Sequence, residues 1–412
     1  MEFRFILDIG YNQNITHVII DLLALLNTQV HPNFKLKVDY KHKYTTEFKE
    51  KLNLFTERYK SDSPSIHRLK NFFNPLAIDD WFFILPAIDF KTKDRILFEK
   101  ELDELNGIKH TDEQKAMEKL FECVTDNYEI VSFNLDRSNK IKIGKGVKKE
   151  RVCRFCDKKM PEVTFNNEAH AISEALGNKK LILNEECDSC NRFFDENIER
   201  DFINYHDLAR TILGVKNKEN KSPKMKGQNF NMFKGAHDLS IAIIDPIDRD
   251  DKSRPPEKLV LKTNHKIRFQ NIYKTLCKFA LSVLDRKYIV HFSETKKWIK
   301  NELTLVQLPK ISVLISPFPK AGPPEIILYQ RNSDNMKVPY LVGEFRFTYY
   351  IYVFIIPLSD KDNSHFLKAE EFEEYLECFQ HMKSTEAVNY IDFSQNIERK
   401  INFNINLEQI KD

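Results

Sequence analysis

The stretch "EECDSCNRFF" (residues 185–194) sets two cysteines three positions apart and follows the second at once with Asn191. Aromatic residues then begin to recur at helical spacing. The same cysteine spacing occurs upstream in "CRFC" (153–156). A Cys-x-x-Cys knuckle turns two sulfurs to one side of the chain, so Cys153, Cys156, Cys187 and Cys190 can supply four thiolates to one tetrahedral Zn²⁺. Residues 157–186 lie between the pairs, a longer gap than a plain ribbon needs, so the insert should be a structure of its own. Within it, "EVTF" reads as a short strand, "GN" (177–178) as a turn and "KLIL" as a second strand. Phe193, Phe194, Ile198, Phe202 and Ile203 then carry a helical period. The expected order is strand, turn, strand, helix, pinned at its base by zinc.

The rest of the chain bounds what this centre can belong to. With 412 residues, 42% hydrophobic and 12% aromatic, there is material for two or three packed domains. Only 10 glycines occur, and neither a G-x-x-x-x-G-K nor a G-x-G-x-x-G pattern is found, which disfavours a phosphate-loop enzyme. The longest apolar run, "VIIDLLALL" (18–26), is broken by Asp21 and is far shorter than the ~20 residues of a membrane span. "MEFRFILDIG" lacks the features of a signal peptide. These readings predict a cytoplasmic protein with no membrane role. In a reducing compartment, paired Cys-x-x-Cys means metal rather than disulfides, and Cys123, Cys277 and Cys378, in apolar helix-like contexts, read as buried thiols.

The flanks predict an α+β, multidomain protein: a mixed N-terminal domain (1–136), the central zinc-stapled module (147–213) and a C-terminal α+β domain (228–412). In the first, "ITHVIIDLLALLNT", "TTEFKEKLNLFTERYK" and the capped "TDEQKAMEKLFECV" read as helices and "YEIVSFNL" as a strand. In the last, "KLVLKT", "ISVLISP", "EIILYQR" and "LVGEFRFTYYIYVFIIPL" read as strands, with helices at "FQNIYKTLCKFALSVLD" and "KAEEFEEYLECFQHM". "DPIDRDDKSRPPEK" (245–258) reads as a polar loop. Net charge is only +3, yet ten Lys/Arg stand against two acids between Arg137 and Lys159, and "VKNKENKSPKMKG" (215–227) is a second basic stretch. Each is either a solvated linker or a surface for phosphates.

The ordered set Cys-x-x-Cys, His170 in "AHAISEALGN", Asn178 and Cys-x-x-Cys-Asn over residues 150–205 resembles the HNH endonucleases, the ββα-metal nuclease fold, in their four-cysteine variant. The resemblance implies His170 as general base, Asn178 as the residue bracing the loop behind it, and Asn191 as a ligand of the catalytic divalent ion, Mg²⁺ or Mn²⁺. The cysteines would hold structural zinc. Many family members carry an acid directly before the first histidine, where this chain has Ala169. Alternation along a strand puts Glu168 on the face of His170 and so favours it over Glu174 as the completing carboxylate.

An unperturbed histidine titrates near ~6.5 and can take a proton from water at neutral pH. A divalent ion can stabilise charge gathering on a phosphodiester. The resulting expectation is a metal-dependent endonuclease acting on DNA, with RNA left open. Its layout suggests a bacterial anti-phage effector gated by a protein partner or signal through the flanking domains. The competing readings are a catalytically inactive zinc-ribbon nucleic-acid-binding protein, for which Ala169 speaks, and a mobile-element or homing nuclease.

Overall fold

In "TTEFKEKLNLFTERYK" apolar side chains recur every three or four positions, and Thr46–Tyr59 is a helix that buries Phe48, Leu52, Phe55 and Tyr59 on one face. The Thr45 side chain caps it, accepting from the Phe48 amide at 3.1 Å. The computed structural model describes residues 15–26, 29–30, 36–37, 39–60, 64–85, 90–133, 140–216, 220–235, 238–244, 258–383 and 387–406. The chain divides into two units, Met1–Ala116 and Met117–Asp412. The first holds the helices Ile15–Leu25, Thr46–Tyr59, Pro64–Phe73 and Thr92–Leu105 and an antiparallel pair, Lys41–Lys43 with Trp81–Phe83. Phe73 and Phe82 meet edge to face at 5.0 Å in its core.

The helix Asp112–Asn127 opens on a reciprocal cap: Thr111 Oγ1 accepts from the Gln114 amide at 3.2 Å and Gln114 Oε1 from the Thr111 amide at 2.8 Å. It leads into the strand Tyr128–Phe133.

The second unit is built on the strand Ile311–Arg331. Leu341–Ile355 pairs antiparallel along it. Its other edge takes Val388–Ile391 at the start and Tyr128–Phe133 at the end. "ISVLISP" and "EIILYQR", separate strands by sequence, are the two halves of this one strand. The register shifts between Ile315 and Glu325, where Pro317, Pro319, Pro323 and Pro324 remove backbone donors. Lys258–Arg268 pairs with Glu398–Asn406, and Lys224–Lys226, Phe230–Lys234 and Leu239–Ile243 form a three-stranded antiparallel sheet. The architecture is thus mixed helix and sheet, with several sheets and no barrel.

The helix Phe269–Val283 is buried from Gln270 to Val283. Its side chains join one hydrophobic core with the central segment and the main sheet: Phe202 lies edge-on to Phe279 at 5.8 Å and to Phe345 at 5.6 Å. Being polar on some of its buried positions, this helix must find partners for Asn271, Lys274 and Lys278 inside the protein.

Two of the scattered cysteines correct the sequence reading. Cys277 is a buried thiol, but Cys123 and Cys378 form a disulfide that links the helix Asp112–Asn127 to the residues just after Ala369–Leu376. The partners are 255 residues apart, and neither local context points to the other. Among the described residues, no helix is long and apolar enough to cross a membrane. The N-terminal stretch 1–10 and residues 245–257 of the polar loop lie outside the described residues, as do 137–139 and 217–219 of the basic stretches.

Candidate active site

The two cysteine knuckles are closed by their own backbones. The Asp157 amide donates to the Cys153 carbonyl and the Asn191 amide to the Cys187 carbonyl, both at 2.9 Å. The four sulfurs all lie within 4.8 Å of one another, and Cys156 Sγ is 3.8 Å from Cys187 Sγ. A tetrahedron with metal–sulfur bonds of about 2.3 Å has edges of about 3.8 Å, so the donor set fits a zinc-sized ion. Hydrogen bonding among the sulfurs, with Cys153 the largest contributor, lowers the Cys156 thiol to about 7. Among the described residues, this is the cluster of metal-binding side chains that meets such a geometry.

The insert departs from the expected first strand. "EVTF" (162–165) is not a strand: the Val163 amide donates to the Lys159 carbonyl at 3.3 Å and the Thr164 carbonyl accepts from the Asp188 amide at 2.9 Å, while the Asp188 carboxylate accepts from Thr164 Oγ1 and from the amides just beyond, of Asn166 (3.0 Å) and Asn167 (2.9 Å). Burial raises the Asp188 carboxyl, but these bonds outweigh it and hold it below its usual range. Extended pairing begins later, at His170, which bridges to Ile182; the Ala171 amide donates to the Leu181 carbonyl at 3.0 Å and the Leu183 amide to the Ala169 carbonyl at 2.8 Å. The strand Leu181–Leu183 also pairs in parallel with Ile141–Ile143, inside the first basic stretch.

Between these segments, Gly177 takes φ +90 to turn the chain, with Val215 Cγ1 3.3 Å from where a Cβ would stand. Asn178, with no exposed surface, binds both sides of the turn. Its Nδ2 donates to the carbonyls of Ile172 (2.7 Å) and Leu181 (3.2 Å), and its Oδ1 accepts from the amides of Lys180 (3.1 Å) and Leu181 (3.0 Å). Every donor and acceptor of the carboxamide is used, which ties the chain after His170 to the strand opposite.

The His170 side chain is 10% exposed. Its Nε2 faces Glu174 Oε1 at 3.1 Å and Glu168 Oε1 at 3.9 Å. Both carboxylates therefore converge on one ring edge, Glu174 the closer. The 3₁₀ turn Glu174–Leu176, capped by Ser173, lies between His170 and Gly177. Burial lowers the His170 pKa against the raising effect of Glu174 and Glu168, which favours the neutral imidazole. Glu168 is also paired with Lys140. A cleft of about 210 Å³ opens beside the pairing strands, lined by Lys142, Lys148, Arg151, Asn166, Asn167 and Glu168. Asn191 sits in the first turn of the helix Asp188–Phe194, immediately after Cys190.

Residues 153–206 match the family model described as HNH endonuclease. The chain carries an HNH endonuclease domain. No curated protein and no solved structure matches it. The HNH domain brings a nuclease assignment and, with it, nucleic acid as the class of substrate.

Polar contacts from the buried helix and its ends hold the HNH domain. Arg154, inside the first knuckle and 2% exposed, faces the carbonyls of Leu281, Ser282 and Leu284 at 2.8–3.0 Å, capping the helix C-terminus with a cation. It also meets Glu185 at 3.1 Å, which Arg286 shares at 3.0 Å. Lys278 pairs with Glu199 at 2.8 Å and faces Glu186 at 3.2 Å, and donates to the His170 carbonyl at 3.3 Å. Burial raises Glu186 to about 7. Asn271 donates to the Asn197 carbonyl (2.9 Å) and to Asp201 (2.7 Å). Asn197 and Glu199 belong to a π turn, Asp195–Glu199, in the middle of the HNH helix.

Sequence reasoning missed Arg154, Glu186, Glu199 and Lys278. The one available signal was the choice of Lys and Asn at positions of "FQNIYKTLCKFALSVLD" that a fully buried helix would otherwise fill with apolar residues.

Proposed function

We propose that the chain is a metal-dependent endonuclease that hydrolyses phosphodiester bonds of DNA, with His170 as general base. The observation that carries this reading is the buried His170 imidazole, with Glu174 and Glu168 converging on its Nε2 beside a cleft that presents Lys142, Lys148 and Arg151. The three cations would take the phosphates flanking the scissile bond, by sequence-independent attraction. Asn166 and Asn167 add amide side chains to the same wall.

Asn191, Glu168 and Glu174 are the oxygen donors available for a catalytic Mg²⁺ or Mn²⁺, both of which prefer such ligands. When bound, such an ion supplies positive charge to the phosphoryl oxygens and the leaving oxygen. His170 accepts the proton of the attacking water, and the four bonds of Asn178 keep the loop that carries it in place. The cysteines hold structural zinc in this reading. A cytoplasmic anti-phage role, with a partner or signal acting through the flanking residues, is the setting in which an HNH domain embedded in a long chain fits best.

The test is nicking of supercoiled plasmid in Mg²⁺ or Mn²⁺. The parent should cut, and His170→Ala should lose about 10²–10⁴-fold while still binding DNA. A parent that binds DNA and never cuts it would return the assignment to an inactive zinc-ribbon binder. A variant that cuts like its parent would move the base elsewhere.

A further inference from the structure

Lys274 and Lys278 lie one turn apart on the same buried helix, and their surroundings are opposite. Lys278 has two carboxylates. Lys274, 2% exposed, has none within ion-pair distance among the described residues. Its ammonium donates to Asn301 Oδ1 at 2.6 Å and stands 5.6 Å from the Trp298 ring. One neutral amide oxygen and an aromatic face are poor compensation for a buried cation. Burial, and after it the neighbouring Arg268, lower the Lys274 pKa to about 8, so the amine is still mostly protonated at neutral pH.

The same lysine lines a cavity of about 240 Å³. Arg268, Gln270, Asn271, Asn301 and Asn197 complete most of its wall, and no carboxylate is among the described residues that line it. Two acids stand behind the wall residues. Asp201 accepts from the Arg268 amide at 3.0 Å and from Asn271, and Glu398 lies 3.8 Å from the Arg268 guanidinium on a partly exposed edge. Two cations and several side-chain amides around a recessed cavity match an oxyanion in charge and in hydrogen-bonding type. The size suits a compact group rather than a drug-sized molecule, whose pockets start near ~300 Å³. Gln270, Asn271 and Lys274 are buried, so the cavity floor is recessed, a shape that suits the end of a ligand better than the middle of a strand.

We propose that this cavity binds a phosphate group, free or at the end of a small phosphorylated ligand, with Lys274 and Arg268 as its cationic contacts. The site is separate from the cleft beside His170, sharing no lining residue with it. It touches the HNH domain through Asn197, in the π turn of the HNH helix. The proposal does not depend on the nuclease reading.

The probes are inorganic phosphate, a nucleoside monophosphate and the matching nucleoside, added to the full chain at constant ionic strength, with melting temperature and calorimetric affinity as readouts. Phosphate or the monophosphate should stabilise the chain and the bare nucleoside should not. Lys274→Met should lower the affinity about tenfold or more, and Arg268→Ala should weaken it as well. With Lys142, Lys148 and Arg151 also replaced, so that the cleft beside His170 no longer attracts phosphate, the Lys274→Met variant should show no stabilisation by phosphate. Equal effects of phosphate and nucleotide assign recognition to the phosphate alone; a stronger nucleotide effect adds its base and sugar; both uphold the site. Lys274→Met leaves no carboxylate behind, so unliganded it should melt no lower than the parent. Stabilisation that survives Lys274→Met once the cleft cations are replaced, or none by either phosphate probe, overturns the proposal.

Discussion

Replacing Lys278 by methionine keeps the length and apolar stem of the side chain and removes its charge. In the parent that charge stands 2.8 Å from Glu199 and 3.2 Å from Glu186, all three side chains being buried. Taking away one partner of a buried ion pair costs about 3–5 kcal/mol, because the remaining charge has neither water nor countercharge. Glu186 limits the loss, since burial already raises it to about 7 and it can take up a proton. Glu199, the closer of the two carboxylates, should carry most of the cost. For a unit of this size each kcal/mol moves the melting temperature by roughly 2–4 °C, so the expected fall is about 6–20 °C. Thermal denaturation of the full chain, followed by circular dichroism, reads it directly. Adding Glu199→Gln to Lys278→Met removes the stranded charge and should recover a large part of the loss, whereas Glu199→Gln alone should destabilise. If Lys278→Met melts with its parent, or if the double variant is worse than the single, the reasoning from buried charge is wrong.

Cys187→Ser should empty the four-cysteine site, seen as loss of one zinc per chain by elemental analysis, and should unfold the knuckles, since metal binding supplies on the order of 10 kcal/mol in small zinc modules. Asn191→Ala should raise the Mg²⁺ or Mn²⁺ concentration needed for plasmid nicking without changing zinc content. Of Glu174→Gln and Glu168→Gln, the former should shift the metal requirement more, because Glu174 is nearer to His170; equal and absent effects in both would remove the carboxylates from the metal site. Stability should also fall in acid through His206, whose Nδ1 donates to the Phe202 carbonyl and whose Nε2 accepts from Tyr352, both at 2.8 Å. Burial lowers its pKa from 6.5 to about 4, so the unfolded chain binds the extra proton first and the stabilisation present above pH 6.5 is lost as pH falls toward 4, by roughly 3 kcal/mol. Denaturant titrations across that range should show it, and His206→Gln should flatten the slope.

The zinc knuckles and the HNH order were legible because both are local: a fixed spacing of Cys153, Cys156, Cys187 and Cys190, with His170 and the asparagines between and after them. The helices at 46–59, 112–127 and 269–283 were legible for the same reason, from period and caps. "EVTF" misled because its strand propensity lost to Asp188, a residue 24 positions from Thr164 whose amide takes the Thr164 carbonyl and whose carboxylate takes the Thr164 hydroxyl and the two amides just beyond the segment. The Cys123–Cys378 disulfide and the Lys278 cluster were illegible because each is a meeting of distant segments. Alternation along a strand favoured Glu168, yet the 3₁₀ turn after Ser173 carries Glu174 back to the imidazole, and that turn has no signature in a period of two.

The acids buried in the HNH domain explain why the rest of the second unit is needed. Glu185 is answered by Arg154 and Arg286, Glu186 and Glu199 by Lys278, and Asp201 by Asn271 and the Arg268 amide. Apart from Arg154, every one of these partners lies between residues 268 and 286, downstream of the matched segment 153–206. Arg154 itself is spent on the carbonyls that end the same downstream helix. Cut out of the chain, the HNH segment would keep its four cysteines and could still bind metal, but Glu186, Glu199 and Asp201 would lose their partners, Glu185 would keep only Arg154, and the apolar face would lack Phe279 and Phe345. The four cysteines are placed to fix the knuckles around a metal ion; the buried helix supplies the charges that let the domain close around them. The carbonyl of His170 is bonded to that helix through Lys278, so a displacement of the helix would be felt at the backbone of the residue expected to take the proton. A displacement of Phe269–Val283 would therefore have a short covalent and hydrogen-bonded route to the loop that carries His170.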